Sequence, residues 1–318
     1  MKSEILISVV VPCYNATPFL DELCLRISNS ISSKGNYEII LVEDRSPDDT
    51  WFKIKELTKN DPHIIGIRFS RNFGQHKAIT AGIAKASGQY VVVMDCDLQD
   101  RPEDIPHLYE KIINSDCEII LTKKIARNHS MIKNITAKLY RIVFNLLIPK
   151  NFFSFSENVG GFSICSRKAI DAFNSLTDTH RHYLNFIAWI GFKKDFLVVK
   201  HDKRKHGKSN YNFIQLLSHA FDGITSESDK LLKSTVLFSI LILFITILVI
   251  FYLIFQKITI GTLPGWSSIV LTTLTSLTIN LFFLGVIAAY VGKIFEQVKK
   301  RPLYIIDEIA SKNEKING

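Results

Sequence analysis

Five cysteines in 318 residues, with no C-x-x-C pair among them, exclude a disulfide-stapled scaffold and a zinc ribbon as the basis of the fold. No internal repeat and no low-complexity tract is visible, which removes solenoids, propellers and disordered linkers. Acidic residues are short relative to basic ones, 30 Asp and Glu against 39 Lys and Arg, for a formal net charge of +9. That surplus could signal nucleic acid. Its cations, however, flank the apolar runs or lie between Lys123 and Arg141, a pattern that suits anionic lipid headgroups and phosphate ligands and argues against a nucleic-acid partner. The N-terminal "MKSEILISVVV" carries an apolar run too short for a signal sequence and no small-residue cleavage site, so residues 1 to about 229 are expected to stay cytosolic.

The hydrophobic content, 47%, is unevenly spread. Thr235–Phe255 is 21 residues without a charge, and the uncharged stretch Ile258–Gly292 contains a second span-length segment, Ser267–Val291. Between them "QKITIGTLPGW" offers Pro264 and Gly265 for a turn and Trp266 for a membrane interface, so the pair predicts a transmembrane hairpin. Lys230 and Lys233 precede it, Lys293, Lys299, Lys300 and Arg301 follow it, and the connecting loop has only Lys257. The positive-inside bias places both ends in the cytoplasm. Ahead of the first span, Phe213, Leu216, Leu217, Ala220 and Ile224 share one helical face, as an interfacial helix or a core-facing one would show.

In the cytosolic part, short β-rich runs occur at Ile5–Val11, Tyr37–Val42, Ile64–Phe69, Tyr90–Met94 and Glu118–Thr122, separated by helical spacing such as Phe19, Leu23, Ile27, Ile31. This alternation predicts an α/β fold, a mostly parallel sheet with helices on both faces and its ligand site at the carboxyl ends of the strands. The residues expected there are polar: Pro12-Cys13-Tyr14-Asn15, Glu43-Asp44, Arg71-Asn72-Phe73-Gly74 and Asp95-Cys96-Asp97. On a strand, side chains two residues apart point the same way, so Asp95 and Asp97, with the Gln99 oxygen nearby, read as a hard-oxygen site for a divalent ion that also takes oxygens from a diphosphate. Asp100 reads as a cap of the following turn or helix, and His76 as a packing residue.

The motifs "VVPCYN", "VEDRSPDDT", "RNFGQHKAITAGI" and "MDCDLQDRPEDI", in this order, resemble those of the inverting glycosyltransferases with a GT-A (Rossmann-like) fold. With the C-terminal hairpin they are similar to the polyprenyl-phosphate glycosyltransferases, over essentially the whole chain. The resemblance implies transfer of a sugar from a nucleotide sugar, UDP-linked by expectation, to a polyprenyl phosphate such as undecaprenyl phosphate. Mg²⁺ or Mn²⁺ would sit on Asp95, Asp97 and Gln99, with Asp97 in the catalytic set. Pro12, Tyr14, Asn15, Glu43, Asp44 and Arg71 would line the nucleotide. "HDKRKHGKSNY" resembles R-x-x-G-x-S-x-Y and adds Arg204 and Ser209, with Lys208 for phosphate contact, although Asn210 stands where the family usually has lysine. In "SENVGGFSICSRKAI" many relatives carry D-x-G-D-F-R; here Asn158 and Gly161 take the acidic places, and Glu157 is the neighbouring carboxylate that could serve as base. Lys124, Arg127, Lys138 and Arg141 fall where relatives hold the lipid phosphate, and a guanidinium grips phosphate with two bonds. Relatives often form tetramers, and Gly285, Ala288, Ala289 and Gly292 give the second span a small-residue face for close packing.

The expected organisation is a catalytic domain over residues 1–211, a juxtamembrane amphipathic helix over 212–233, the two-span hairpin over 234–292 and a cytosolic tail over 293–318, in the inner (plasma) membrane. A processive polysaccharide synthase would be expected to add a Q-x-x-R-W motif and more spans, both absent here. A catalytically silent membrane scaffold is disfavoured by the intact Asn15, Asp95 and Asp97.

Overall fold

A computed structural model describes residues 4–124, 159–179, 181–199 and 265–312, together with single helical positions between 238 and 259. The chain divides into two units, one made of residues 1–137, 150–210 and 302–318 and the other of residues 138–149 and 211–301.

The first unit is built on an eight-stranded sheet. Its strands are β1 (Ile7–Cys13), β2 (Tyr37–Glu43), β3 (Ile64–Phe69), β4 (Tyr90–Val93), β5 (Ile119–Lys124), β6 (Val159–Ser166), β7 (Lys194–Val199) and β8 (Ile306–Ser311). Their spatial order is β7-β5-β6-β4-β1-β2-β3-β8. β3, β2, β1 and β4 are mutually parallel, and β5 is parallel to β7. β6 runs antiparallel to both β4 and β5, and β8 antiparallel to β3.

The parallel strands are buried on both faces, which their continuous β-branched runs require. Val9 and Val11 face one core with Leu20, Leu23, Trp51, Ile54, Ile105 and Leu108. Val10 faces the other, with Ile40, Ala78, Ile170, Phe173 and Tyr183. The covering helices are α1 (Leu20–Ile31), α2 (Thr50–Asn60) and α4 (Ile105–Ile113) against α3 (Gln75–Lys85), α5 (Arg167–Ser175) and α6 (Tyr183–Trp189). α3 lies unusually close to β1, because a Cβ at Gly82 would fall 2.3 Å from Val10 Cγ1. Glycine is therefore required there.

Three features differ from the sequence expectation. β1 runs on to Cys13, so Pro12 and Cys13 are strand residues; β4 ends opposite Val10, and beyond that point β1 is an edge on that side, where proline is tolerated. β4 stops at Val93, so Asp95 and Asp97 lie in a turn and strand alternation does not orient them. Residues 306–311, expected within the cytosolic tail, form β8, and its acids are paired: Asp307 with Arg45 at 2.9 Å, and Glu308 accepting from Trp51 Nε1 at 2.9 Å.

In the second unit, α7 (Trp266–Val298) includes Thr275–Val298, a 24-residue stretch that contains an 18-residue window of mean hydropathy 1.8. Among the described residues it is the one helix long and apolar enough to cross a membrane. It continues past the expected end at Val291 through Lys293 and Glu296. The first expected span lies mostly outside the described residues, although Phe238, Leu241, Phe244 and Phe251 are helical and exposed. The expected juxtamembrane helix lies wholly outside them.

Candidate active site

The carboxyl ends of β1, β2, β3 and β4 lead into four loops, and hydrogen bonds between their side chains and backbone tie these loops to one another. At the end of β1, Asn15 has φ +52, a left-handed conformation asparagine tolerates, and its N–H donates to Ser46 Oγ at 2.7 Å. Ser46 in turn donates to Asp48 Oδ1 at 2.5 Å. Asp48 also accepts from Thr50 Oγ1 at 2.6 Å and, through Oδ2, from Thr17 Oγ1 at 2.7 Å. Partial burial pushes the Asp48 pKa up, but the bonds from Ser46, Thr50 and Thr17 outweigh it and hold the carboxyl at about 2. Asp48 thus clasps the first loop to the second. Tyr14, next to Asn15, presents an exposed ring.

At the end of β2, Glu43 is 1% exposed. It accepts from Ser46 N and faces Arg68 at 3.3 Å, an ion pair whose Nε and Oε2 lack an aligned hydrogen bond. Burial pushes the Glu43 pKa up, against the pull of the Ser46 N–H and of Arg68. Asp44 is also buried, and each of its oxygens takes a backbone N–H from the loop after β3: Phe73 N at 2.6 Å and Gly74 N at 2.8 Å. Burial raises its pKa, opposed first by those two bonds and then by Lys77 and Arg71. Gly74 adopts φ +97, which only glycine takes without strain, and this lets the chain turn from the Asp44 carboxylate into α3. Arg71 is exposed, its guanidinium 4.2 Å from the Phe73 ring centroid.

Beyond β4, Asp97 Oδ1 accepts from Gln99 N at 3.1 Å across the turn, where buried Leu98 takes φ +60. Asp100 accepts from Asp95 N at 3.4 Å, so it caps this turn. Asp95 Oδ1 accepts from Gln75 Nε2 at 2.7 Å. No cluster of three or more His, Cys, Asp or Glu groups suited to a metal occurs among the described residues. Two carboxylates with an adjacent amide fit an ion such as Mg²⁺ or Mn²⁺, which binds through one or two carboxylates and takes its remaining ligands from substrate phosphates.

The structure therefore gathers Pro12, Tyr14, Asn15, Glu43, Asp44, Arg71, Asp95, Asp97 and Gln99 at one end of the sheet. Lys124 is the last residue of β5. Arg127, Lys138, Arg141, Glu157, Asn158, Arg204, Lys208 and Ser209 lie outside the described residues. His76 packs on His182, ring centroids 4.1 Å apart. The sequence reading missed Asp48, Ser46 and Gln75; the run of serine, threonine and aspartate in "RSPDDT" was the available signal for the first two.

Residues 8–173 match glycosyl transferase family 2. An uncharacterized glycosyltransferase of Bacillus subtilis is 33% identical over 97% of this chain and 95% of its own. A prophage-derived bactoprenol glucosyl transferase of Shigella flexneri is 31% identical over 94% of this chain and 97% of its own. Among solved structures, glucosyl-3-phosphoglycerate synthase from Mycobacterium tuberculosis, in complex with Mn²⁺, uridine diphosphate and phosphoglyceric acid, superposes with a TM-score of 0.51 at 16% identity, covering 71% of this chain and 78% of that one. At that identity the likeness speaks for the fold alone. The α/β sheet, the loops gathered at its carboxyl edge and these full-length relatives lead to one conclusion: the chain belongs to glycosyl transferase family 2 and is a glycosyltransferase.

Proposed function

We propose that the protein transfers a sugar from a nucleotide sugar, a uridine diphosphate sugar in the first instance, to a polyprenyl phosphate, with inversion at the anomeric carbon. The observation that carries this reading is the match, over more than nine-tenths of both chains, to proteins named bactoprenol glucosyl transferases. The loops bearing Tyr14, Asn15, Glu43, Asp44 and Arg71 receive the nucleotide, the exposed Arg71 being available to its phosphates. Asp95 and Asp97, with Gln99 beside them, hold Mg²⁺ or Mn²⁺; when bound, such an ion supplies Lewis-acid stabilisation of the departing diphosphate. The acceptor phosphate is already anionic near neutral pH and needs little deprotonation, so Glu157 and Asn158 act chiefly in orientation. Arg204, Lys208 and Ser209 contact the donor diphosphate, while Lys124, Arg127, Lys138 and Arg141 hold the lipid phosphate.

The enzyme is membrane-bound through two spans, with its catalytic unit and both ends cytoplasmic. One feature of the sheet supports an even number of crossings. β8 follows α7 in the chain and pairs with β3, so chain from before and after the spans lies on one side of the bilayer. α7 supplies one crossing and Thr235–Phe255 the other. The test is incubation of purified protein with undecaprenyl phosphate and a panel of labelled nucleotide sugars. Label extracted into organic solvent supports the assignment; free labelled sugar alone, or no turnover with any donor, overturns it.

A further inference from the structure

We propose that Gln75 is a positioning residue for Asp95, and that the buried Asp44 acts on the same carboxylate from a distance by anchoring the loop that carries Gln75. The proposal rests on the reading that Asp95 and Asp97 hold a divalent ion. β2 and β4 flank β1, so Asp44 and Asp95 stand at the ends of strands separated by one neighbour. The segment 73–75 bridges them. Asp44, 4% exposed, fixes one end through Phe73 N and Gly74 N, and Gln75 Nε2 reaches Asp95 Oδ1 at 2.7 Å from the other.

Gln75 is the first residue of α3, and that helix has little freedom to slide, since Gly82 is packed against Val10 with no room for a Cβ. The reach of the side chain is thus set by the backbone. An amide is suited to this task. It orients one carboxylate oxygen through a single N–H without adding a charge, whereas lysine would neutralise the carboxylate and repel the cation. Asp97 takes its bond from a different donor, Gln99 N within its own turn. Loss of Gln75 should therefore loosen Asp95 first.

The experiment is a titration of the full-length purified protein with Mn²⁺ in the presence of uridine diphosphate, with free Mn²⁺ read by electron paramagnetic resonance. Gln75 is exposed, so Gln75→Ala and Gln75→Leu should keep the wild-type melting temperature without metal. Both should raise the Mn²⁺ Kd about tenfold, within the range for lost outer-shell partners of metal ligands, and leave metal-free nucleotide binding within about twofold. Asp44→Asn, whose amide offers only one acceptor oxygen to two N–H donors, should shift the Mn²⁺ Kd in the same direction. The double variant Asp44→Asn/Gln75→Ala should be no worse than the weaker-binding single variant, because both act through one hydrogen bond. Wild-type Mn²⁺ affinity in Gln75→Ala overturns the role of Gln75, and additive effects in the double variant overturn the link to Asp44. A wild-type protein that takes up no Mn²⁺, indistinguishable from Asp97→Asn, overturns the metal reading itself and this proposal with it.

Discussion

Replacing Asp48 by alanine should destabilise the catalytic unit and weaken nucleotide binding, although Asp48 itself need not touch the nucleotide. Its carboxylate accepts from Ser46 Oγ, from Thr50 Oγ1 and N, and from Thr17 Oγ1 and N. A carboxyl held at about 2 instead of its ordinary ~3.9 gains roughly 2.5 kcal/mol from folding at neutral pH. Because the group is partly exposed, solvent screening reduces the expected contribution to about 1–2 kcal/mol. Truncation to alanine also leaves the N–H groups of Thr17 and Thr50 to find water, so about 2 kcal/mol is the working figure. For a unit of this size that corresponds to a fall of roughly 4–8 °C in melting temperature. Asn15 is tied to Asp48 through Ser46, so the Kd for uridine diphosphate should rise by about tenfold, or ~1.4 kcal/mol. Asp48→Asn should recover only part of this, since its amide would face a donor at Thr17 N.

The sign of the pH effect follows from the depressed pKa. The stabilisation from ionisation is fully present above the unfolded value of about 3.9 and is lost as pH falls towards the folded value of about 2, so the stability gap between wild type and Asp48→Ala should narrow between about pH 4 and 2. Calorimetric melting of the detergent-solubilised protein across that range, with nucleotide titration at neutral pH, checks both parts. An Asp48→Ala protein with unchanged melting temperature and unchanged nucleotide affinity would refute the clasp.

Asp97→Ala should abolish formation of lipid-linked sugar while leaving the circular dichroism spectrum intact; near-normal turnover at saturating Mn²⁺ would contradict the metal assignment. Arg127→Ala and Arg141→Ala should each lower acceptor efficiency roughly ten- to a hundredfold, the effect of losing a charge-assisted phosphate contact of about 1.5–3 kcal/mol, with nucleotide binding little changed. Wild-type acceptor kinetics in both would move the lipid-phosphate site elsewhere, to Arg204 and Lys208 first. A cysteine introduced at Gly261 should react with an impermeant thiol reagent outside intact cells and one at Asn313 should not. The opposite pattern would place the catalytic unit outside.

The central strands were legible because each has a mostly buried, mostly apolar run: Ile64–Phe69 falls where the sequence put it, and β2 differs by one residue. β5 was legible too, at Glu118–Thr122, but β6, β7 and β8 were not. β6 reads "VGGFSICS", with two glycines and two serines, and the buried Ser163 hydroxyl is accommodated by the Tyr183 hydroxyl at 2.8 Å and the Gly161 carbonyl at 3.0 Å. β8 reads "IDEIAS", and its acids find Arg45, Trp51 and Lys55 only after long-range pairing. The polar residues of the site could be found because they follow strands. Their division of labour could not, since Asp44 looks like a ligand group until both its oxygens are seen occupied by backbone N–H groups from a loop 30 residues away.

The antiparallel pairing of β8 with β3 also sets the order in which this protein can be made. β3 is complete at Phe69, but its outer edge waits for residues 306–311, which leave the ribosome only after α7 has been synthesised. Throughout that interval β3 exposes a row of unpaired N–H and C=O groups, a template for pairing with another chain. Chains that stop before Ile306 keep that edge open permanently. Synthesis of α7 and closure of the sheet are thereby consecutive steps, and a nascent chain delayed at the first is exposed to aggregation at the second.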